Sequence, residues 1–333
     1  MDIVFYLSGE HETLPRMEVQ SLLEHHKIDY EVLEDLAQIL VCRVDSSDTE
    51  TFSLLGMTHS IHVFHGSCAP DLNSILNLAD SLDRISGSFR VRVQRIGVSS
   101  PKLSTLMLER EIGAVLKGDT VDLKNPDVQV QGFLTEDCFI LTGLIQNLNR
   151  SEILRRTPHR RPYFHPSSLS PILSRAISNI CGVKSGKTVL DPFCGTGGLL
   201  IEAGLLGAEL HGSDIESEMI GGCMQNLSHY GLKASLETTD ATELNDSERF
   251  DIVITDPPYG RASTTMGRGI NVLYQKAAES IYKILKPGGR ACILSPHTLP
   301  LEEIAEDTGF NILESETIRV HKSLTRKIVF LRK

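Results

Sequence analysis

The sequence predicts an α/β protein in two parts, a doubly wound sheet domain in the second half and an α+β region in front of it. Two observations carry this. From residue 188 onward, apolar strand-like runs alternate with helical spacings, the order that builds a largely parallel sheet with ligands at the carboxyl ends of its strands. The glycine cluster Gly195-Thr196-Gly197-Gly198 follows the first of those strands and opens a helix. Residues 1–149 read instead as short strand and helix units without that regular rhythm.

In chain order, Asp2–Leu7 is an apolar strand, and Leu14–His26 has helical spacing through Leu14, Val19, Leu22 and Leu23. Gln38–Val44 is β-rich. Glu50–Gly56 and Ser74–Asp83 read as helices, and Phe89–Arg95, Asp127–Gln131 and Cys138–Leu144 as strands. Arg155–Pro166 contains three prolines and suits a fixed linker better than a helix. Ser167 is placed to cap a helix running through Ile180, with Pro171 in its first turn or so. Strands Thr188–Phe193, Glu209–Asp214, Ala234–Thr239, Phe250–Thr255 and Gly289–Ser295 then alternate with helices Gly198–Gly207, Ser217–Tyr230 and Val272–Leu285. Helix Leu301–Thr308 and a strand pair, Ile312–Val320 and Lys327–Leu331, close the chain.

Length and composition restrict the function. The 333 residues suit two domains or one large one, and 41% hydrophobic with 23% charged residues is the balance of a globular protein rather than a disordered or repetitive one. No apolar run approaches the about 18 residues that span a bilayer. The start, Met1 to Leu7, lacks the basic region of a signal peptide, so a cytoplasmic protein is expected. Cysteines 42, 68, 138, 181, 194, 223 and 292 are widely spaced, which favours reduced thiols over disulfides or structural zinc. The net charge of −10 is uneven: residues 1–149 hold 11 Lys and Arg against 22 Asp and Glu, and the remainder 22 against 21. Bulk charge therefore weighs against a nucleic-acid binder. Locally, Arg150, Arg155, Arg156, Arg160 and Arg161 face a single acid, Glu152.

The first chemical signal is Val189-Leu190-Asp191-Pro192-Phe193-Cys194-Gly195-Thr196-Gly197-Gly198. Glycines after a strand let the backbone approach a nucleotide, and Asp214, at the end of the next strand, is placed to hold ribose hydroxyls. Dinucleotide enzymes share that layout. Asp191 separates the cases, because a carboxylate at the strand end repels a pyrophosphate but suits the ammonium and sulfonium of S-adenosylmethionine. The second signal is Ile254-Thr255-Asp256-Pro257-Pro258-Tyr259-Gly260. An exocyclic base amine is a poor nucleophile because its lone pair is delocalised into the ring. Methyl transfer to it needs acceptors that hold the amine and take its proton. Asp256 and the Pro257 carbonyl supply them, two prolines fix the turn, and Tyr259 offers a face for a base drawn out of its stack.

On these residues the chain resembles the class I methyltransferases of nucleobase exocyclic amines. Over Arg160-Arg161-Pro162-Tyr163-Phe164-His165-Pro166-Ser167-Ser168-Leu169 the resemblance narrows to the THUMP-domain tRNA guanine-N2 methyltransferases, particularly the archaeal type acting on guanosine 10. It implies a ferredoxin-like module over 1–65, a THUMP RNA-binding domain over 66–149, a basic linker over 150–166 and a class I Rossmann-like methyltransferase domain over 167–333. It implies that Asp191, Gly195 and Gly197 line the methionine part of S-adenosylmethionine, Asp214 the ribose and Asp240 the adenine amine, with Thr196, Ile215 and Ala241 also in the cofactor site. It further implies that Phe164 and His165 close over the cofactor, that Asp256, Pro257 and Tyr259 carry catalysis, and that Asp256 also borders the cofactor. The expected partner is tRNA, and a small zinc-binding activator subunit serves some relatives. Arg155, Arg156, Arg160 and Arg161 are candidates for RNA phosphates, as are Arg261 and Arg268, which flank a Ser/Thr/Gly loop after Tyr259.

Other candidates are weaker. His59, His62 and His65 recur every third residue, but Ile61, Val63 and Phe64 interleave them as a strand or mixed core would, so no metal site is expected. Cys194 lacks an identifiable base and reads as packing beneath the cofactor. Arg90, Arg92 and Arg95 form a smaller basic group. Two further functions stay open: a DNA adenine-N6 methyltransferase using the same Asp-Pro-Pro-Tyr acceptors, and a non-catalytic RNA-binding protein. The 150-residue N-terminal region argues against the first, and intact Asp191, Asp214 and Asp256 against the second.

Overall fold

The structure, a computed structural model, describes residues 1–45, 49–97, 103–166, 168–244, 247–260, 269–321 and 324–333. They divide into two units. The first comprises Met1–Arg16, His26–Ser53 and Thr58–Asn149; the second comprises Arg150–Lys333 together with Met17–His25 and Leu54–Met57.

The first 149 residues carry β1 (Asp2–Leu7), α1 (Leu14–His25), β2 (Tyr30–Leu36), β3 (Ile39–Val44), α2 (Thr49–Phe52), β4 (Thr58–Cys68), α3 (Leu72–Asp80), β5 (Ile85–Arg95), α4 (Thr105–Val115), β6 (Gly118–Val121), β7 (Val128–Leu134) and β8 (Phe139–Asn147). The strands form one sheet in the order β2-β3-β1-β4-β8-β7-β5-β6. Asp71 and Ser104 cap α3 and α4 by accepting the Ser74 and Met107 amides. Ile75, Leu108 and Ile112 of those helices join Phe89, Val91, Val130 and Leu141 of the sheet in one core. The boundary expected at 65/66 falls inside β4, which pairs with β1 on one side and β8 on the other, so the two expected modules share a sheet. Three elements, β2, β6 and α4, go beyond the sequence reading, and β4 enters it only as the run through Ile61, Val63 and Phe64. β2 is an edge strand with a mostly exposed face, so acidic residues interrupt the apolar alternation that marks an inner strand. Helix α4 was not expected at all. The helix expected over 50–56 is reduced to the single turn α2.

The second unit adds α5 (Arg150–Leu154), a 3-10 turn (Pro158–Arg160), α6 (Pro171–Cys181), β9 (Thr188–Asp191), α7 (Gly198–Leu205), β10 (Glu209–Asp214), α8 (Ser217–His229), β11 (Ala234–Thr238), β12 (Phe250–Thr255), α9 (Ile270–Ile284), β13 (Leu285–Pro296), α10 (Leu301–Thr308), β14 (Asn311–His321) and β15 (Leu324–Arg332). Sheet order is β11-β10-β9-β12-β13-β15-β14. The first five strands are parallel, as expected. β15 runs antiparallel to both β13 and β14, because a short connection after β14 leaves no room for a crossover helix. The sheet is therefore mixed at that edge rather than parallel throughout.

Helix α6 is capped by Ser170, whose hydroxyl accepts the Leu173 amide, so it starts later than expected; Ser167 lies outside the described residues. The order in which strands are added reverses between β9 and β12, the switch point at whose carboxyl ends parallel sheets bind ligands. Behind it, Val253, Tyr274, Ile281, Ile293, Leu301 and Val329 form a common core. Glu18 is fully buried in this unit. Its carboxylate accepts the Gly56 and Met57 amides and the Asn179 side chain, each at 2.7 Å. No helix of the described residues is long and apolar enough to cross a membrane.

Candidate active site

Strand β9 ends on Asp191, whose side chain is nearly sealed from solvent. One carboxylate oxygen accepts the Thr255 hydroxyl at 2.7 Å, from the end of β12, and the Phe193 amide at 3.1 Å. The following loop turns through Gly195 (φ 48°) and Gly197 (φ 81°), a backbone region that side chains disfavour. A Cβ on Gly197 would lie 2.7 Å from the Cys223 sulfur, whereas one on Gly195 would meet nothing within 4 Å. Gly195 thus borders open space, where the backbone can come close to a ligand. Its amide donates to Asp214 at 2.9 Å, and the other Asp214 oxygen accepts the Glu216 amide at 3.0 Å. The Ile215 amide also bonds this carboxylate, and the lone-pair capacity that these amides leave is available to a ribose hydroxyl.

Asp240 follows β11, and the adjacent Thr239 amide donates to the Asp214 carbonyl at 3.1 Å. The Asp240 carboxylate accepts the Thr242 amide and hydroxyl at 2.9 and 2.8 Å. Ala241 is buried and Ile215 is 38% exposed. Asn226 ties the approaching chain to the glycine loop, because its amide donates to both the Tyr163 and Thr196 carbonyls at 2.9 Å. Ser168 and Thr196 hydroxyls meet at 3.0 Å. That tether brings the Phe164–His165 segment beside the loop. Phe164 is 45% exposed and stacked on His159, with ring centroids 4.5 Å apart.

Past β12, the Tyr259 hydroxyl donates to one Asp256 oxygen at 2.5 Å. The other oxygen lies 3.3 Å from Nη2 of Arg326, whose Nε donates to the Tyr259 hydroxyl at 2.8 Å. The Pro257 carbonyl is held by the buried Tyr274, whose hydroxyl lies 3.3 Å from it and 3.2 Å from the Leu294 carbonyl. One hydroxyl proton serves both, so Pro257 keeps acceptor capacity.

This strand edge gathers Asp191, Asp214 and Asp256 where little water screens them. Burial pushes Asp191 up to about 7, with the charges of Asp214 and Asp256 adding to the effect and the Thr255 and Phe193 bonds opposing it. Burial also raises Asp214 and Asp256; for Asp256, Arg326 and Tyr259 work the other way. A strand edge with open space at Gly195 and excess buried negative charge fits a cationic ligand bearing a ribose.

A family model for the RMKL-like methyltransferase domain matches residues 158–328. The tRNA (guanine(10)-N2)-dimethyltransferase of Methanothermobacter thermautotrophicus is 37% identical over 98% of this chain and 98% of its own length. The chain belongs to this family. Its counterpart from Methanocaldococcus jannaschii is 31% identical, again over 98% of both chains. Human U6 snRNA (guanine-N(2))-methyltransferase THUMPD2 is 26% identical over 69% of this chain and 45% of its own length. Among solved structures, TrmN from Thermus thermophilus superposes with a TM-score of 0.61 at 20% identity, covering 100% of both chains, and so shares the fold. A Listeria monocytogenes protein described as a predicted N6-adenine-specific DNA methylase does so at 0.55 and 13%, over 99% of this chain and 95% of its own. The sequence resemblance to the tRNA guanine-N2 methyltransferases and the Rossmann-like methyltransferase fold are both borne out.

Within this member of the family the basic stretch divides. Arg155 and Arg160 are exposed, as phosphate contacts need to be. Arg156 and Arg161 are not. The Arg156 guanidinium grips the fully buried Glu202 through two bonds of 2.7 and 2.9 Å, and Arg175 reaches the same carboxylate at 2.9 Å. Arg161 is 5% exposed and donates to the Arg156 carbonyl. These two expected phosphate contacts are corrected to interior groups: Arg156 because a buried acid needs a buried cation, and Arg161 because its guanidinium is turned inside, with both terminal nitrogens buried without a hydrogen-bond partner. Arg261 and Arg268 lie outside the described residues.

The Cys194 thiol is buried; contact with Cys223 and burial hold it well above its ordinary value, against a nucleophilic role. His62 is buried between the hydroxyls of Ser60 (2.8 Å) and Thr142 (3.1 Å), so both ring nitrogens are occupied. Among the described residues no His, Cys, Asp or Glu cluster is arranged to hold a metal ion. Arg90 binds Gln129, and Arg92 approaches Glu109 at 3.4 Å.

Arg326, Tyr274 and Thr255 escaped the sequence reading. Arg326 precedes the apolar run of β15, and nothing local distinguishes it from a strand-end charge. Its signal is topological: an antiparallel strand begins where its parallel neighbours end, which is the carboxyl edge that carries Asp256.

Proposed function

We propose that this chain transfers methyl groups from S-adenosylmethionine to N2 of a guanosine in tRNA, at position 10 and twice, as the names of its relatives describe. The observation that carries this is the Asp256–Pro257–Tyr259 turn, held on the same strand edge as the Asp191, Gly195 and Asp214 pocket. When bound, S-adenosylmethionine supplies an electrophilic methyl on a positively charged sulfur. Asp191 and Asp214 would hold that cation and its ribose, and Gly195 leaves room for close backbone approach.

Asp256 has about four lone-pair sites, of which Tyr259 and Arg326 use one each. The remainder accept the guanine amine, together with the Pro257 carbonyl. Two acceptors in fixed positions turn the nitrogen lone pair toward the methyl group. The new bond is N–C, the broken bond S–C, and the amine proton leaves toward Asp256. Positioning supplies most of the acceleration, because an amine that becomes cationic on methylation is acidic and needs only a weak base. The monomethylated product retains one N–H, enough for one of the two acceptors, and that contact to Asp256 serves a second transfer.

The test is nucleoside analysis after incubation with labelled S-adenosylmethionine and either unmodified tRNA or DNA. Labelled N2-methylguanosine and N2-dimethylguanosine from tRNA are expected. Label in N6-methyladenine of DNA, or none at all, overturns the proposal.

A further inference from the structure

We propose that Arg326 positions the Asp256–Tyr259 pair for methyl transfer, gripping one carboxylate oxygen and the tyrosine hydroxyl together so that the free lone pairs of Asp256 stay aimed at the incoming amine. The inference rests on the methyltransferase reading of this site.

Arg326 stands near the start of β15, in register with Pro296 at the end of β13. It is nearly buried, with side-chain exposure of 12%, beside Asp256 at 15%. Its guanidinium makes three contacts with the turn. Nε donates to the Tyr259 hydroxyl at 2.8 Å, Nη2 lies 3.3 Å from Oδ2 of Asp256, and Cζ sits 5.5 Å from the Tyr259 ring centroid. Tyr259 in turn donates to Oδ1 of Asp256. The three side chains close a ring of contacts in which neither carboxylate oxygen can rotate freely. An aromatic ring with a cation against it and a fixed hydroxyl is also a rigid wall for a base.

The charge balance around Asp256 supports the same role. Asp191 approaches it from β9, Tyr259 from its own turn, Tyr274 from α9, Cys292 from β13 and Arg326 from β15. Among the described residues Arg326 is the cation of that set, and the other four are acids. Removing it leaves a buried carboxylate beside a second carboxylate, which favours the protonated form. A protonated Asp256 cannot take the amine proton. A planar fork serves this geometry better than the point charge of a lysine.

The experiment compares wild type, Arg326→Gln and Arg326→Lys by single-turnover methyl transfer to unmodified tRNA between pH 5.5 and 9. S-adenosylmethionine binding and the 13C carboxyl titration of Asp256 are measured in parallel. For Arg326→Gln the expected result is at least a tenfold slower transfer, with the acid limb of the rate profile and the carboxyl midpoint both displaced upward by at least one pH unit. Cofactor affinity should stay within about threefold. Arg326→Lys should return the limb close to its wild-type position while transfer stays slower. A purely structural role would slow the reaction without moving the limb or the midpoint, and that result overturns the proposal. If Arg326→Gln does not fold, Arg326→Lys decides, because wild-type rate in that variant equally overturns it. A wild type that transfers no methyl to tRNA overturns the functional reading instead, and the carboxyl midpoint then decides the Arg326 contact alone.

Discussion

Replacing Asp191 by Asn should make the empty protein more stable and its cofactor pocket weaker. Asp191 is 2% exposed, and one oxygen already accepts the Thr255 hydroxyl and the Phe193 amide. An asparagine oxygen can take over both bonds, so the change removes mainly a charge. Raising a carboxylate from 3.8 to about 7 means that the folded protein binds the proton more tightly than the unfolded chain does. Stability therefore falls as pH rises from about 4 to about 7, and the loss is complete above that window. At 1.4 kcal/mol per pH unit it amounts to roughly 4 kcal/mol at pH 8 and roughly 2 kcal/mol at pH 5. The unpartnered NH2 of asparagine costs about 1–3 kcal/mol at both pH values. The variant should thus gain about 1–3 kcal/mol at pH 8, or several degrees in melting temperature, and roughly nothing at pH 5. S-adenosylmethionine affinity should fall by at least tenfold, since the negative charge facing its cation is gone. Calorimetric unfolding at the two pH values, with cofactor titration at pH 8, makes the test. No gain at pH 8, or an equal gain at both, refutes the reasoning.

Arg156→Ala should destabilise the second unit by about 1–3 kcal/mol, because it strips two charge-assisted bonds from Glu202 and leaves Arg175 as the remaining buried cation on it, and thermal unfolding reads this directly. Arg155→Ala with Arg160→Ala should leave stability unchanged but flatten the slope of log tRNA affinity against log salt by about one to two, and binding titrations at several salt concentrations show whether it does. His62, whose pKa burial lowers to about 4, must stay neutral in the fold. Its contribution is present above about 6.5 and lost as pH falls toward 4, so the first unit should lose roughly 3 kcal/mol over that window. His62→Gln should blunt that loss, as followed by acid titration of near-UV circular dichroism.

The catalytic half was legible where local residues dictate geometry. Asp191 with its glycines and Asp256 with its two prolines each carry their chemistry in a few consecutive positions, and a parallel strand end fixes where that chemistry points. The strand and helix order of that half was readable for the same reason, since buried parallel strands are continuous apolar runs. Edge strand β2 was not, because half its face is wet and acidic. The arginines show the limit of local charge. Arg155 and Arg156 are identical in sequence terms, and only the position of Glu202 on α7, 46 residues on, sends one of them inside. Arg326 is the converse case, a functional contact made 70 residues from Asp256 through an antiparallel pairing that no short-range pattern encodes.

The central claim is that Asp256 acts on the substrate amine and not on the cofactor. It is tested most directly by Asp256→Ala, with S-adenosylmethionine binding measured by calorimetry and single-turnover methyl transfer to unmodified tRNA measured on the same preparation. The account predicts cofactor affinity within a few-fold of wild type and methyl transfer reduced at least a thousandfold, about 4 kcal/mol in the barrier. Transfer within tenfold of wild type, or loss of cofactor binding alongside loss of transfer, contradicts it.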